Sequence, residues 1–198
     1  FNTKGEYSEG IAKGQFDFQL SSATEGRIEQ SGRYDVAADS VFINTDELNF
    51  ISDYRMLTLE ESFGLTYHND RLQLDTFRIS SGDGAFLEIG IPILSADEQR
   101  GSIEGHRLNV SVIQSSFLGT TYFDGVLSGQ FNIDRKGTNL QANGHGLLSE
   151  VSAQGGGFDS LMVSANIAEE RLEGAISLKD QGEELMSGEA DLPFKLGD

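Results

Sequence analysis

The chain has no cysteine and no tryptophan among its 198 residues, and only two prolines. Without cysteine there can be no disulfide scaffold, thiolate metal site, iron–sulfur cluster or cysteine nucleophile. That absence is compatible with any redox compartment. Positive charge is also scarce: 14 Lys and Arg stand against 32 Asp and Glu, a formal charge of −18. A surface this acidic argues against nucleic acid as a partner, which would need clustered Lys and Arg, and discourages adsorption to anionic membranes. No run of about 18 apolar residues is present, so no transmembrane helix is expected. The first five residues carry neither an initiator Met nor a signal-peptide core, as expected for a piece of a longer protein.

Hydrophobic residues make up 37% of the chain, enough apolar surface to offset the entropy of ordering, so a folded protein is expected. The 24 glycines are spread along the chain, with no glycine-rich linker. Between them the hydrophobic pattern has period two, the signature of strands. Phe16, Phe18 and Leu20 alternate with Gln15, Asp17 and Gln19. Ile28 and Tyr34 oppose Arg27, Glu29, Arg33 and Asp35. Phe63, Leu65 and Tyr67 run into the polar turn of residues 68–71, after which Leu72 and Leu74 resume, predicting a hairpin. Leu87, Ile89, Ile91 and Ile93 form one further set, and Leu108, Val110 and Val112 another. Leu127, Phe131 and Ile133 precede a turn at residues 135–139, with Leu140 and Ala142 beyond it. Leu161, Val163, Ala165 and Ile167 are expected to pair with Leu172, Ile176 and Leu178 across the turn at residues 168–171.

Helix is a minority expectation. Residues 46–61 read as strand because Met56 to Leu59 alternates, and residues 114–121 have room for one helical turn. Leu72 and Leu74 share one parity while Phe77 and Ile79 share the other, which predicts a bulge near Asp75 and Thr76. Pro92 and Pro193 cannot donate to a ladder, so each should sit at an edge, a bulge or a strand start. The whole chain reads as one continuous β-repeat segment, residues 1–198, with glycines 155–157 the nearest thing to a flexible joint.

No catalytic motif emerges. His68, His106 and His145 are isolated in sequence, with no metal-ligand spacing. There is no G-x-S-x-G elbow, P-loop, dinucleotide fingerprint or EF-hand loop. Residues 155–159 begin like a calcium-binding nonapeptide, but Phe158 stands where glycine is required. Acidic pairs such as Asp97-Glu98, Glu60-Glu61 and Glu183-Glu184 read as solvated charge that blunts strand edges. No enzyme activity, cofactor or metal is expected. The alternation itself fits two architectures equally: the closed core of a sandwich or barrel, and an open groove lined by one sheet face.

Three stretches carry a resemblance to a known family. Residues 57–84, with the strands Phe63 to His68 and Arg71 to Ser80, look like a recurring unit in which a short entry precedes a strand, a turn and an "l-x-l-d-x-l-x-l-x-s-x-d-G" strand. Residues 123–133, Phe-Asp-Gly-Val-Leu-Ser-Gly-Gln-Phe-Asn-Ile, are similar to a "G-x-L-S-G-x-l-x-l" repeat. Residues 158–165 and 189–196 look like a closing "g-x-l-P-l-x-l" strand. Together they resemble the β-rich periplasmic region of the TamB (translocation and assembly module) family, in the wider AsmA-like group.

That resemblance implies an all-β fold: an elongated, curved antiparallel or mixed sheet folded into an open apolar groove, with little helix. It implies a non-enzymatic segment of a periplasmic bridge that carries phospholipid between inner and outer membranes. A linked role in outer-membrane protein assembly is part of the same implication. Expected partners are phospholipid acyl chains and, through an inner-membrane-anchored parent, a BamA-like barrel of the TamA type. The residues expected to line the groove or core are Phe16, Phe18, Leu20, Phe63, Leu65, Leu72, Leu74, Leu87, Ile89, Ile91, Leu108, Val110, Phe131, Ile133, Leu161, Val163, Ile176 and Leu178. Two other readings compete: a scaffold pairing its sheet edges with strands of outer-membrane clients, and a β enzyme cleaving polysaccharide with paired carboxylates.

Overall fold

A computed structural model describes residues 2–8, 11–21, 24–35, 39–52, 55–111, 113–114, 120–153 and 156–194. Fourteen strands follow one another: β1 Asn2–Ser8, β2 Ile11–Ser21, β3 Thr24–Asp35, β4 Ser40–Ser52, β5 Arg55–Leu59, β6 Phe63–His68 and β7 Arg71–Ser80, then β8 Phe86–Leu94, β9 Glu98–Asn109, β10 Phe123–Lys136, β11 Asn139–Ala153, β12 Gly156–Ala168, β13 Arg171–Asp180 and β14 Glu183–Pro193. All belong to one sheet, every pairing is antiparallel, and strands are ordered as they occur in the chain. The molecule is a β-meander with no crossover among the described residues, as alternating strands joined by short polar turns dictate. The segment 46–61 is strand where described, divided between β4 and β5.

β5 and β6 together occupy one place in the sheet. The first half of β4 pairs with β6 and its last residues with β5, and β7 does the same from the other side. They amount to a single strand interrupted at residues 60–62, where Glu60 N still donates to Arg78 O at 2.9 Å. Neighbouring strands break register at the same level. Gln30 pairs with Thr45 but Glu29 with Glu47, which leaves Asp46 extra in β4. Leu74 and Phe77 lie opposite Ile91 and Ile89, so Asp75 and Thr76 form the bulge that the change of parity predicted. Asp75 Oδ2 accepts a 3.0 Å hydrogen bond from Gly64 N, and the bulge lets the Phe77 ring stack on Phe63 at 4.1 Å between centroids. β8 is irregular between Gly90 and Ile93, where Pro92 has no amide to donate, and Pro193 ends the edge strand β14.

The turns follow local chemistry. Asn69 and Asp70 both take positive φ, 48° and 57°, between β6 and β7, as a two-residue hairpin of the right twist requires. Glu169 and Glu170 do the same between β12 and β13, at 51° and 61°, although neither residue favours that region. Gly156 and Gly157 pair with Ala153 and Ser152 at the start of β12, and Gly155 lies outside the described residues.

One sequence expectation is corrected here. Val110 was expected to continue the strand of Leu108, but β9 ends at Asn109, and residues 110–111 and 113–114 are helical. Asn109 is the physical reason. Its Oδ1 accepts from Ser111 N at 2.9 Å and from Ser111 Oγ at 2.6 Å, the N-cap arrangement that starts a helix. Val112 lies outside the described residues, as do residues 115–119 of the expected helical turn.

Among the described residues no second sheet packs on this one. Its accessible surface is 12771 Å², against about 9,200 Å² for a compact folded chain of this mass. Among the described residues the buried apolar side chains are Ala85, Ala142 and Val151. A sandwich core would instead bury large side chains from two facing sheets.

Candidate functional site

Residues directly opposite one another in an antiparallel ladder project from the same face, and alternate residues along a strand share it. Leu172, Ile176 and Leu178 of β13 lie opposite Ile167, Val163 and Leu161 of β12. Those three lie opposite Ala142, Gly146 and Leu148 of β11, which face Ile133, Gly129 and Leu127 of β10. Ile133, Phe131 and Leu127 oppose Gly101, Ile103 and Leu108 of β9. Ile103 and Gly105 oppose Ile89 and Leu87 of β8. Ile91, Ile89 and Leu87 oppose Leu74, Phe77 and Ile79 of β7. Leu74 and Leu72 meet Leu65 and Tyr67 of β6, and Leu65 meets Ile43 of β4. The register therefore gathers one apolar face across consecutive strands from β4 to β14, where Met186 and Leu192 continue it.

Along one row, Leu178, Leu161, Leu148, Leu127 and Leu108 stand side by side on five adjacent strands. The bulges preserve the face. Without the one extra residue of the bulge at Asp75 and Thr76, Phe77 and Ile79 would point to the opposite side from Leu74. This face is only partly shielded from solvent: Ile176 is 37% exposed, Val163 44%, Phe131 46% and Leu192 54%.

The opposite face is polar. Arg78, Glu88, Glu104, Gln130 and His145 form one row across it, and Ser102, Asn132, Asn143, Asn166, Glu173 and Asp191 another. Asn132 Nδ2 donates to Asn143 Oδ1 at 3.1 Å, and Arg78 holds Glu88 Oε2 through Nη2 at 2.7 Å. The bond to Glu88 is the main reason the Arg78 guanidinium is held even more firmly protonated than usual. Two carboxylate pairs face each other across strands on this side, Glu88 with Glu104 and Glu173 with Asp191. Glu88 is occupied by Arg78 and Asp191 by Arg171, while Glu173, Glu189 and Asp191 line a shallow depression of about 450 Å³ beside Gly174.

The histidines are separated. His145 is exposed on the polar face, and His106 stacks on Phe86 at 5.4 Å. His68 lies at the end of β6 with Nδ1 2.7 Å from Ser40 Oγ. This hydroxyl–imidazole pair was not legible in sequence, because the two residues are joined only by the β4–β6 register. Asn69 Nδ2 lies 2.6 Å from His68 Nε2, on the other side of the ring. Ser40 is 3% exposed, which keeps substrate away from this pair. Among the described residues no group of three His, Asp or Glu side chains is placed to hold a metal ion.

Of the residues expected as liners, Phe63, Leu65, Leu72, Leu74, Leu87, Ile89, Ile91, Leu108, Phe131, Ile133, Leu161, Val163, Ile176 and Leu178 share the apolar face. Val110 does not, since it lies in the helical turn. Phe16, Phe18 and Leu20 belong to β2, and their side chains lie outside the described residues. Ile43, Ile103, Leu148 and Leu192 were missed. Ile103 sits singly among small and polar neighbours and Ile43 ends the unalternating run Val41-Phe42-Ile43, so only the register of adjacent strands reveals their side. Comparison with protein-family models, with curated proteins and with solved structures finds no match to the chain.

Proposed function

We propose that this chain is a non-enzymatic lipid-carrying segment, its apolar sheet face holding acyl chains. The observation that carries the reading is the unbroken, partly exposed apolar face from β4 to β14. Monomeric soluble proteins rarely expose contiguous apolar patches beyond a few hundred Å² unless something docks there. Each buried methylene of an acyl chain is worth about 0.8 kcal/mol, so repeated Leu, Ile, Val and Phe rungs offset the cost of leaving a bilayer. Rungs of similar chemistry on successive strands give a nearly level profile, which movement along the sheet requires. The motif order resembling the TamB family supports the same reading, with phospholipid as cargo and the periplasm as setting. A parent protein anchored in the inner membrane and coupled to a TamA-type barrel belongs to that proposal.

The test is mass spectrometry of lipids retained by the purified chain, with Leu74→Arg as the central variant. Phospholipid should co-purify with the wild type and be lost from a folded Leu74→Arg protein. Equal lipid retention by that variant would sink the proposal.

A second reading has one observation in its favour. β14 is exposed along its whole length and offers an unpaired edge among the described residues. Backbone capture of a client strand there would be abolished by Ser187→Pro and untouched by Leu74→Arg.

A further inference from the structure

We infer that Arg135, with Gln99 beside it, binds the phosphate of a phospholipid whose acyl chains lie on the apolar face. The inference rests on the lipid-carrying reading and adds to it a headgroup position. Arg135 pairs in register with Leu140 on one side and Gln99 on the other, and Gln99 pairs with Leu94. Leu94 in turn lies opposite Leu72. These five residues form the outermost row of the apolar face, at the margin bearing the β6–β7, β8–β9 and β10–β11 turns. Ile133, Gly101 and Ile91 form the next row inward.

Charge pairing sets Arg135 apart. Arg71, Arg78, Arg100 and Arg171 all lie on the polar face or its rim, and each has a carboxylate: Glu98, Glu88, Asp134 and Asp191 respectively. Arg135 has opposite parity from Asp134 and stands on the apolar side, where no carboxylate of the described residues reaches it. Its Nε donates to Gly137 O at 2.9 Å, which fixes the side chain beside its own turn, and neither terminal nitrogen bonds to another of the described residues. The Gln99 amide makes no hydrogen bond to the described residues. Asp159, Asp180 and Glu183 of this face stand near the β13–β14 turn, and Asp97, whose backbone oxygen accepts from Gly137 N at 2.7 Å in the neighbouring β8–β9 turn, makes no ion pair with Arg135. A guanidinium fork and an amide at one margin, with apolar rows running inward from them, match a phosphate diester with acyl tails attached.

The test compares binding of dioleoyl phosphatidylglycerol and dioleoylglycerol, which differ in the phosphate headgroup, to the whole chain. Inorganic phosphate serves as a third probe. Arg135→Gln should weaken phosphatidylglycerol binding about three- to tenfold and leave dioleoylglycerol unchanged. Arg135→Lys should recover part of the loss. Arg171→Gln, on the polar face, makes the same change in net charge and should alter neither lipid. If both lipids bind and neither depends on Arg135, the inference fails while the lipid reading stands. If neither lipid binds, the lipid reading fails and takes the inference with it. If inorganic phosphate binds through Arg135 but the two lipids bind alike, the site serves free phosphate and the inference is overturned.

Discussion

Gly129 and Gly146 face one another across β10 and β11, yet substitution should affect them in opposite ways. A Cβ on Gly129 would lie 2.5 Å from His145 O, a backbone atom with no freedom to retreat, whereas one on Gly146 would meet nothing within 4 Å. Gly129→Ala is expected to cost about 1–3 kcal/mol. Gly146→Ala should be neutral or stabilising by up to about 1 kcal/mol through the unfolded chain. Urea titrations of the two variants check both signs. A second residue-scale expectation concerns Glu184, whose carboxyl is held below its ordinary range by the hydroxyls of Ser187 and Ser177. A carboxyl lowered in the folded state contributes stability above its unfolded value and loses it as pH falls through the folded one. Replacing Ser177 and Ser187 with Ala should therefore remove a small acid-side dependence of stability and leave neutral and alkaline behaviour alone. Thermal melts across the acid range, wild type against double variant, measure it.

Among elements, the hairpins are where local sequence and structure agree or conflict most visibly. Asn69-Asp70 suits the two positive φ values of its turn; Glu169-Glu170 does not. Replacing Glu169 with Asn and Glu170 with Gly should stabilise the β12–β13 hairpin by about 1–2 kcal/mol without changing its register. The readout is the denaturation midpoint together with amide exchange in β12 and β13. The same scale explains the fate of residues 108–112. Three apolar residues of one parity promised a strand, but Asn109 in their midst offered its side chain to Ser111 N, and a local capping bond outcompeted ladder pairing.

At the scale of the molecule, an uncovered sheet has consequences that no single residue carries. The folded chain should bind an apolar dye such as ANS at neutral pH while keeping its strand spectrum, because its apolar face needs no unfolding to be reached. Absence of enhancement would mean that the face is covered in solution. Acyl chains should displace the dye, and Leu74→Arg should reduce both signals. The acidic surplus is concentrated on the polar face, the turns and the strand ends. There it keeps an otherwise oily sheet soluble and opposes edge-to-edge association.

Alternation was enough to determine most strands, their hairpin partners and, between bulges, the side a residue takes within its strand. Leu161 with Leu178 and Val163 with Ile176 pair as parity requires. Even the slip at Asp75 and Thr76 was written in the change of phase between Leu74 and Phe77. These are properties of a two-residue repeat and short turns, both local. What alternation left open was whether the apolar side would meet a second sheet or solvent, since both outcomes demand the same pattern. That was decided in three dimensions: the described strands form a single meander sheet, with no second sheet among the described residues to meet the face. That Arg135 pairs with no carboxylate of the described residues was settled the same way: the register sets Leu140 and Gln99 beside it, and composition carries no record of cross-strand neighbours.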